Sequence, residues 1–247
     1  MSETLIQWPR AKYWTAQWNP VIGCKPCSPA CENCYAAAWA RRFGQSFKPH
    51  ATKQRPPRKG VVFCGNMTDL FGEWVKRPSD YLMEPHYTIE SVTAEYLWLT
   101  KRVDGMCHAL SQLAPPTAWD DGMWKGTHNF GFTAENQEWY DRRAAEARNF
   151  PSWANLWLSA EPLLGPVAIG SLVNNLRWVV VGCESGPNRR PCKIEWVESI
   201  VEQCRKAGVP VFVKQLDIGG KCETDINKFP EHLRIRQVPW AKEGGAK

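Results

Sequence analysis

The sequence has no apolar run that approaches the roughly 18 residues needed for a helix to span a bilayer. Its first residues, Met1–Arg10, lack the apolar core of a secretory signal peptide. Internal repeats and low-complexity tracts are also missing. The first two absences argue against a membrane span and a secretory signal peptide. With 43% hydrophobic and 23% charged residues, the composition is ordinary for a soluble globular protein. The chain is long enough for one large α/β domain over residues 1–247, and without a membrane span or signal peptide we expect it to be cytoplasmic.

Histidine is scarce, with five residues, and no two of them stand at metal-ligand spacing. A histidine metal site is therefore unsupported. Cysteine is plentiful by contrast, with ten residues. In a cytoplasmic protein we expect thiols or metal ligands, because that compartment keeps disulfides reduced. Cys192, Cys204 and Cys222 follow no second cluster motif.

Acidic residues are missing between Asn33 and Thr68, where seven basic residues occur. The net charge is +6, so the rest of the chain is close to neutral. Such a segment can contact the phosphates of a nucleic acid, and a few of the 14 tryptophans can stack on bases. The alternative is a solvated loop. The seven basic residues are Arg41, Arg42, Lys48, Lys53, Arg55, Arg58 and Lys59.

Six short apolar runs, each followed by a polar or glycine-containing turn, divide the chain. Continuous apolar runs are typical of strands buried on both faces of a parallel sheet. Helical patterns lie between them, most clearly Glu135–Arg148 and Ile194–Ala207, and a further strand is expected before Cys24. This alternation predicts an α/β fold, a parallel (βα) barrel of TIM type, complete or incomplete, or an open parallel sheet. The six runs are Gly60–Gly65, Tyr96–Thr100, Asn129–Thr133, Leu156–Ser159, Arg177–Val181 and Val209–Val213.

Polar and charged residues follow each of these runs. Active sites of parallel barrels lie at the carboxyl ends of the strands, so we expect these side chains at the mouth of the barrel. The alternative is that some of them only cap helices. The residues are Asn66, Asp69, Thr100, Lys101, Glu135, Asn136, Ser159, Glu161, Glu184 and Lys214.

Four cysteines, Cys24, Cys27, Cys31 and Cys34, stand within one short loop. Four thiolates can close a structural zinc site, but zinc sites usually join two separated cysteine pairs. Closely clustered thiolates also suit an iron–sulfur cluster. Three ligands leave one iron open to chelate S-adenosylmethionine, whose reductive cleavage yields a 5′-deoxyadenosyl radical. The loop therefore favours iron–sulfur over zinc.

A set of motifs resembles an uncharacterised phage and prophage family with a three-cysteine motif. That family is distantly similar to radical S-adenosylmethionine enzymes, including spore photoproduct lyase, a DNA-repair enzyme. The resemblance implies a core over about residues 14–215 and a C-terminal extension over 216–247. The motifs are Trp18–Cys24, Ser28–Tyr35, Met67–Gly72, Leu99–Lys101, Leu158–Leu164, Val181–Gly186 and Ala207–Gln215.

The resemblance implies that Cys24, Cys31 and Cys34 hold a [4Fe–4S] cluster. The family usually has another residue at the position of Cys27. Here Cys27 restores the three-then-two spacing of the wider radical superfamily, so it is an alternative third or fourth ligand.

The same resemblance assigns roles to the residues at the strand ends. We expect S-adenosylmethionine to be bound by Asn66, Asp69, Thr100, Lys101, Glu135, Ser159 and Glu161. Cys183, Glu184 and Lys214 are the candidate catalytic residues, with an inert buried thiol as the alternative for Cys183. An electron-donor protein and a nucleic-acid or nucleotide substrate, in DNA repair or modification, are the expected partners. The rival function is a non-catalytic nucleic-acid-binding phage protein with a structural zinc or iron–sulfur site.

Overall fold

The computed structural model describes residues 6–87, 93–113 and 127–240. These residues form a mixed α/β fold around an eight-stranded, mostly parallel sheet. The strands are β1 Ile6–Gln7, β2 Ala16–Trp18, β3 Val21–Ile22, β4 His50–Ala51, β5 Val61–Cys64, β6 Glu95–Thr100, β7 Thr127–Thr133, β8 Asn155–Ala160, β9 Trp178–Gly182, β10 Val211–Ile218, β11 Lys221–Glu223 and β12 Gln237–Val238. The α-helices are α1 Tyr35–Arg42, α2 Pro78–Tyr87, α3 Val103–Ser111, α4 Gln137–Ala147 and α5 Ile194–Ala207. No described helix is long and apolar enough to cross a membrane.

The six predicted strands are confirmed as β5 to β10, and the strand expected before Cys24 is β2. Helix α5 has the predicted bounds, and Gly208 ends it in the left-handed conformation, with a φ of 68°. The eight-stranded sheet has the order β11-β10-β9-β8-β7-β6-β5-β2. From β2 to β10 this order follows the chain without reversal, unlike a doubly wound sheet. Closure into a TIM-type barrel stays a prediction.

The chain divides into two compact units. The cysteine-loop unit comprises residues 14–132 and 142–155, and the second unit comprises residues 1–13, 133–141 and 156–247. The single-domain arrangement with a core over 14–215 stays a prediction. Strand β10 runs through the proposed start of the C-terminal extension at residue 216 and pairs antiparallel with β11.

Aromatic side chains dominate the core of the cysteine-loop unit. Trp18 and Trp98 are fully buried and meet edge to face with their ring centroids 5.9 Å apart. The indole nitrogen of Trp98 donates a hydrogen bond of 3.0 Å to Nδ1 of His128. Because this ring nitrogen is paired, the burial of Trp98 leaves no polar atom of its side chain unsatisfied.

The second unit has its own aromatic core. Tyr13 packs edge to face against Trp178 and Phe212, with centroid distances of 5.0 and 5.5 Å. The ring centroids of Trp157 and Trp178 are 5.3 Å apart. The indole nitrogen of Trp178 donates a hydrogen bond of 2.8 Å to the carbonyl of Gln237. These buried rings anchor β8, β9 and β10, whose carboxyl ends carry the candidate residues of this unit.

Candidate functional site

The cysteine loop begins at Gly23, directly after β3. Gly23 has a φ of +96°, and a Cβ atom there would lie 2.5 Å from the backbone of Lys48. Its N–H donates to the carbonyl of Met67 at 3.0 Å. Only glycine fits this left-handed conformation and this close approach without strain. The loop is therefore held against two distant segments at the residue before Cys24.

The four cysteines of the loop are reduced and partly exposed. Cys31 ends a short 3₁₀ helix, Pro29–Cys31, and its N–H donates to the carbonyl of Ser28 at 2.9 Å. Cys34 is the N-cap residue of α1. A single backbone turn joins Cys31 to Cys34, because the N–H of Cys34 donates to the carbonyl of Cys31 at 3.3 Å.

The thiols of Cys27 and Cys31 contact each other, and the contact shifts their pKa values in opposite directions. The hydrogen bond from Cys27, with a further contribution from the charge of Lys101, lowers the pKa of Cys31 to about 4. The same bond and burial raise the pKa of Cys27. Burial and the carboxylate of Asp69 raise the pKa of Cys24 to about 11. Of Cys24, Cys27 and Cys31, Cys31 is thus the one that most readily forms a thiolate, and it belongs to both ligand spacings read from the sequence.

Asp69 is buried beside this loop, and its carboxylate is fully engaged. Oδ1 accepts from the N–H of Phe71 at 3.1 Å and from Oγ1 of Thr100 at 2.7 Å. Oδ2 accepts from the N–H of Lys101 at 3.0 Å and from Nη1 of Arg102 at 3.3 Å. Each oxygen has two donors, so Asp69 and Thr100 tie the turn after β5 to the end of β6.

Arg102 connects this network to the cysteine loop. Its Nη2 donates to the carbonyl of Lys25 at 2.8 Å, and its guanidinium lies 4.7 Å from the ring centroid of Trp74. Its charge also favours the thiolate forms of Cys24 and Cys27. Sequence reasoning missed this residue, although its place directly after β6 matches the strand-end signal that identified its neighbours.

Asn66 lies in the same turn after β5. Its backbone carbonyl accepts a hydrogen bond from the hydroxyl of Tyr35, the first residue of α1. Its side-chain oxygen is buried and has no hydrogen-bond partner among the described residues. A buried amide oxygen without a donor is costly, so this atom is suited to accept from a bound ligand.

Helix α1 carries an exposed aromatic face. Tyr35, Trp39 and Phe43 are 55%, 46% and 57% exposed. Tyr35 and Trp39 stand four residues apart and therefore lie on one side of α1, and Phe43, the C-cap residue directly after the helix, follows at the same spacing. The rings of Trp39 and Phe43 are 4.9 Å apart, and the guanidinium of Arg42 lies 5.9 Å from the ring of Phe43. Sequence reasoning identified the basic residues here but not this aromatic row.

The remaining candidate residues at strand ends in the second unit are partly committed to internal bonds. Nζ of Lys214 forms an ion pair of 2.5 Å with Oε1 of Glu161, and both side chains are largely buried. The carboxylate of Glu184 accepts from the N–H and Nε of Arg190 at 2.8 and 3.0 Å. Two of the three predicted catalytic residues, Glu184 and Lys214, are thus charge-paired.

Ser159 and Glu135 are buried in the same unit. The carbonyl of Ser159 accepts from the N–H of Ala134 at 2.9 Å, and that of Glu135 accepts from the N–H of Leu164 at 2.6 Å. Both predicted cofactor-binding residues therefore help to connect the ends of β7 and β8 through their backbone.

Cys183, the third predicted catalytic residue, contacts a thiol that the sequence did not associate with it. Its side chain is fully buried at the end of β9 and meets that of Cys222 on β11. Sequence spacing gives no signal for this pair, because the two cysteines come together only through the β10–β11 hairpin.

The fold and this site define an α/β protein with a mostly parallel sheet and a thiol-rich loop after its first parallel strand. Among the described residues, no group of three or more Cys, His, Asp or Glu side chains is already arranged to hold a metal ion. The ligand assignments therefore stay predictions.

A family model described as "Protein of unknown function (DUF5131)" matches residues 4–237, and the chain belongs to that family. No curated protein and no solved structure matches the chain significantly. The family match does not connect the chain to radical S-adenosylmethionine enzymes or to a cysteine-motif family.

Proposed function

We propose that this protein is an iron–sulfur enzyme of the radical S-adenosylmethionine type that acts on a nucleic-acid or nucleotide substrate. The observation that carries the proposal is the cysteine loop. Four reduced thiols lie within one short segment, and the clustered thiol of Cys31 has its pKa lowered to about 4. Thiolates are the ligands that iron–sulfur clusters require.

The donor set fits a [4Fe–4S] cluster. Cys24, Cys31 and Cys34 are the proposed ligands, and Cys27 is the alternative third or fourth one. The contact between the thiols of Cys27 and Cys31 supports Cys27 as a ligand. The assignment of Cys24 rests on the motif resemblance. Bound there, the cluster would supply the electron that cleaves S-adenosylmethionine.

The residues around the loop support a binding site for the amino-acid part of S-adenosylmethionine. The buried oxygen of Asn66 is available as an acceptor for its ammonium group. Asp69 and Thr100 satisfy each other, so we assign them to positioning rather than to direct contact. Arg102 holds the loop by its carbonyl bond to Lys25.

The exposed face of α1 supports a nucleic-acid substrate. Tyr35, Trp39 and Phe43 offer stacking surfaces, and Arg41 and Arg42 on the same helix can neutralise phosphates. Since α1 starts at the residue after Cys34, bases stacked on this face would lie beside the cysteine loop.

The same aromatic and basic face favours a second candidate function, because binding nucleic acid through this face does not require catalysis. In that case the protein binds nucleic acid and its cysteines hold a structural zinc ion or cluster. Cytoplasmic location, an electron-donor protein and a role in DNA repair or modification belong to the first proposal and are tested with it.

Metal content separates the two functions. The full chain is purified without oxygen and analysed for iron, sulfide and zinc, and then incubated with dithionite and S-adenosylmethionine. Our proposal expects about four iron and four sulfide per chain and release of 5′-deoxyadenosine. Stoichiometric zinc without iron, or a cluster that never cleaves the cosubstrate, supports the structural role instead.

Variants assign the ligands. Cys31→Ala and Cys24→Ala are expected to lose the iron, and Cys27→Ala is expected to keep it. Cys107→Ala is the matched control, because Cys107 is also a partly exposed thiol of the same unit but lies on α3. Loss of iron in Cys27→Ala with retention in Cys24→Ala would reverse the assignment.

A further inference from the structure

Two cysteines of the second unit are brought together by three neighbouring strands. Cys183 follows β9, and its N–H donates to the carbonyl of Gln215 on β10 at 3.2 Å. Nε2 of Gln215 donates in return to the carbonyl of Cys183 at 2.6 Å. Cys222 lies opposite Asp217 in the antiparallel β10–β11 pair. The backbone at Cys183 and at Cys222 is therefore fixed by hydrogen bonds to the same strand, β10.

The two thiols differ in access. Cys183 is fully buried, whereas Cys222 is partly exposed. Their side chains are in hydrogen-bond contact, and this contact lowers the pKa of Cys222 and raises that of Cys183. The charge of Arg189 lowers the pKa of Cys222 further. A partly exposed thiol in contact with a buried one is the arrangement of a reactive cysteine with a resolving partner.

We propose that Cys183 and Cys222 are a redox-active thiol pair, oxidised to an intramolecular disulfide by low-molecular-weight disulfides of the glutathione type. The thiolate of Cys222 attacks one sulfur of oxidised glutathione, forms a mixed disulfide and releases one glutathione thiolate. Cys183 then loses its proton and attacks the sulfur of Cys222, which releases the second glutathione. The protein thiols lose two electrons, the glutathione disulfide gains them, and both protons end on glutathione.

Cys192 is the nearest competitor, and its surroundings argue against it. Its N–H donates to Oδ2 of Asp217 at 3.1 Å, and its thiol is buried against the carbonyl of Lys193 at 3.8 Å. Burial, with a contribution from Asp217, raises the pKa of Cys192 to about 12. Cys192 is therefore expected to stay a protonated thiol while Cys222 reacts.

The three thiols fall on separate tryptic peptides, so mass spectrometry can localise the bond. Cys183 lies on residues 178–189, Cys192 on residues 190–193 and Cys222 on residues 222–228. The full chain is equilibrated in buffers of reduced and oxidised glutathione, quenched with acid, alkylated and digested. We expect a linked species of the first and third peptides that disappears after treatment with dithiothreitol.

Single variants test the order of attack. Cys183→Ser is expected to accumulate glutathione on Cys222, since the resolving thiol is gone. Cys222→Ser is expected to leave Cys183 reduced, and Cys192→Ser to form the same linked peptide as the parent chain. The mixed disulfide in Cys183→Ser forms whenever Cys222 is accessible. This variant therefore tests the access of glutathione to Cys222 separately from the attack by Cys183.

Three results would overturn the inference. One is the absence of the 178–189 to 222–228 link at any glutathione ratio while these peptides are recovered in alkylated form. Another is a link from Cys222 to Cys192. The third is protection of Cys183 and Cys222 by stoichiometric bound metal that a chelator removes. None of these measurements depends on a cluster or on S-adenosylmethionine, so the inference stands or falls independently of the proposed function.

Discussion

Asp69 is expected to stabilise the protein by holding the end of β6 and the cysteine loop together, and Asp69→Asn removes that link. The amide keeps the shape of the side chain but replaces one acceptor oxygen with an NH₂ group. This group must face either the N–H of Phe71 and the hydroxyl of Thr100, or the N–H of Lys101 and the guanidinium of Arg102. In either orientation the NH₂ group, itself a donor, faces two other hydrogen-bond donors.

The first orientation is the less costly one, because the hydroxyl of Thr100 can keep its 3.2 Å bond to the carbonyl of Arg102. The N–H of Phe71 then loses its acceptor, at about 1–3 kcal/mol. The bond from Arg102 also loses its charge partner, and the side chains of Arg102 and Asp69 are only 19% and 9% exposed. Together these losses predict about 2–4 kcal/mol of unfolding free energy.

The free energy is measured by urea unfolding of the metal-free chain, followed by tryptophan fluorescence. Asp80→Asn is the control, since Asp80 forms an ion pair of 2.9 Å with Arg77 in which the side chains are 79% (Arg77) and 54% (Asp80) exposed. Such a pair is worth less than about 1 kcal/mol. A loss for Asp69→Asn no greater than that for Asp80→Asn would refute the structural role of the carboxylate.

Three further outcomes are expected. Gly23→Ala should lower the free energy of unfolding by about 2–4 kcal/mol, because it combines a strained φ with a backbone clash. Gly186→Ala, at a φ of +100° with open space around it, should lower it by only about 1–2 kcal/mol. Equal losses in urea unfolding would contradict the clash. Combined Trp39→Ala and Phe43→Ala substitutions should weaken binding of a single-stranded oligonucleotide by at least about tenfold in fluorescence anisotropy, at unchanged stability, since each stacked base contributes about 1–3 kcal/mol; unchanged affinity would remove α1 from the interface. The rate of alkylation of Cys222 should rise with pH with a midpoint near 7, because the pKa of Cys222 is lowered to about 7 and the thiolate predominates above that value. A midpoint at or above the usual cysteine value of about 8.5 would contradict the thiol contact.

The strands were predictable because their signal is local. Val61–Cys64 and Trp178–Gly182 are continuous apolar segments buried along their whole length, as the parallel-sheet interpretation required. Helix α5 was predictable to the residue, since its amphipathic pattern ends at a glycine. Strand β10 runs past the predicted end at Val213 to Ile218, because its last residues pair with β11 rather than with a buried neighbour.

The candidate site was predictable only in part. The cysteine loop and the residues at strand ends were visible as residue types in order along the chain. Their partners were not, because Arg102 reaches Lys25 and Cys183 reaches Cys222 across long stretches of sequence. Whether a strand-end carboxylate is available to a ligand depends on those partners.

The sequence by itself determined the alternation of strands and helices, the position of the thiol-rich loop and the basic segment after it, since each depends on neighbouring residues. Tertiary structure decided which groups are already satisfied. Asp69, Glu161 and Glu184 have partners, whereas the buried oxygen of Asn66 has none among the described residues. Tertiary structure also decided that Cys183 and Cys222 meet. The physical reason is that hydrogen bonding, burial and thiol acidity are set by atoms close in space, and strand pairing brings those atoms together from distant parts of the chain.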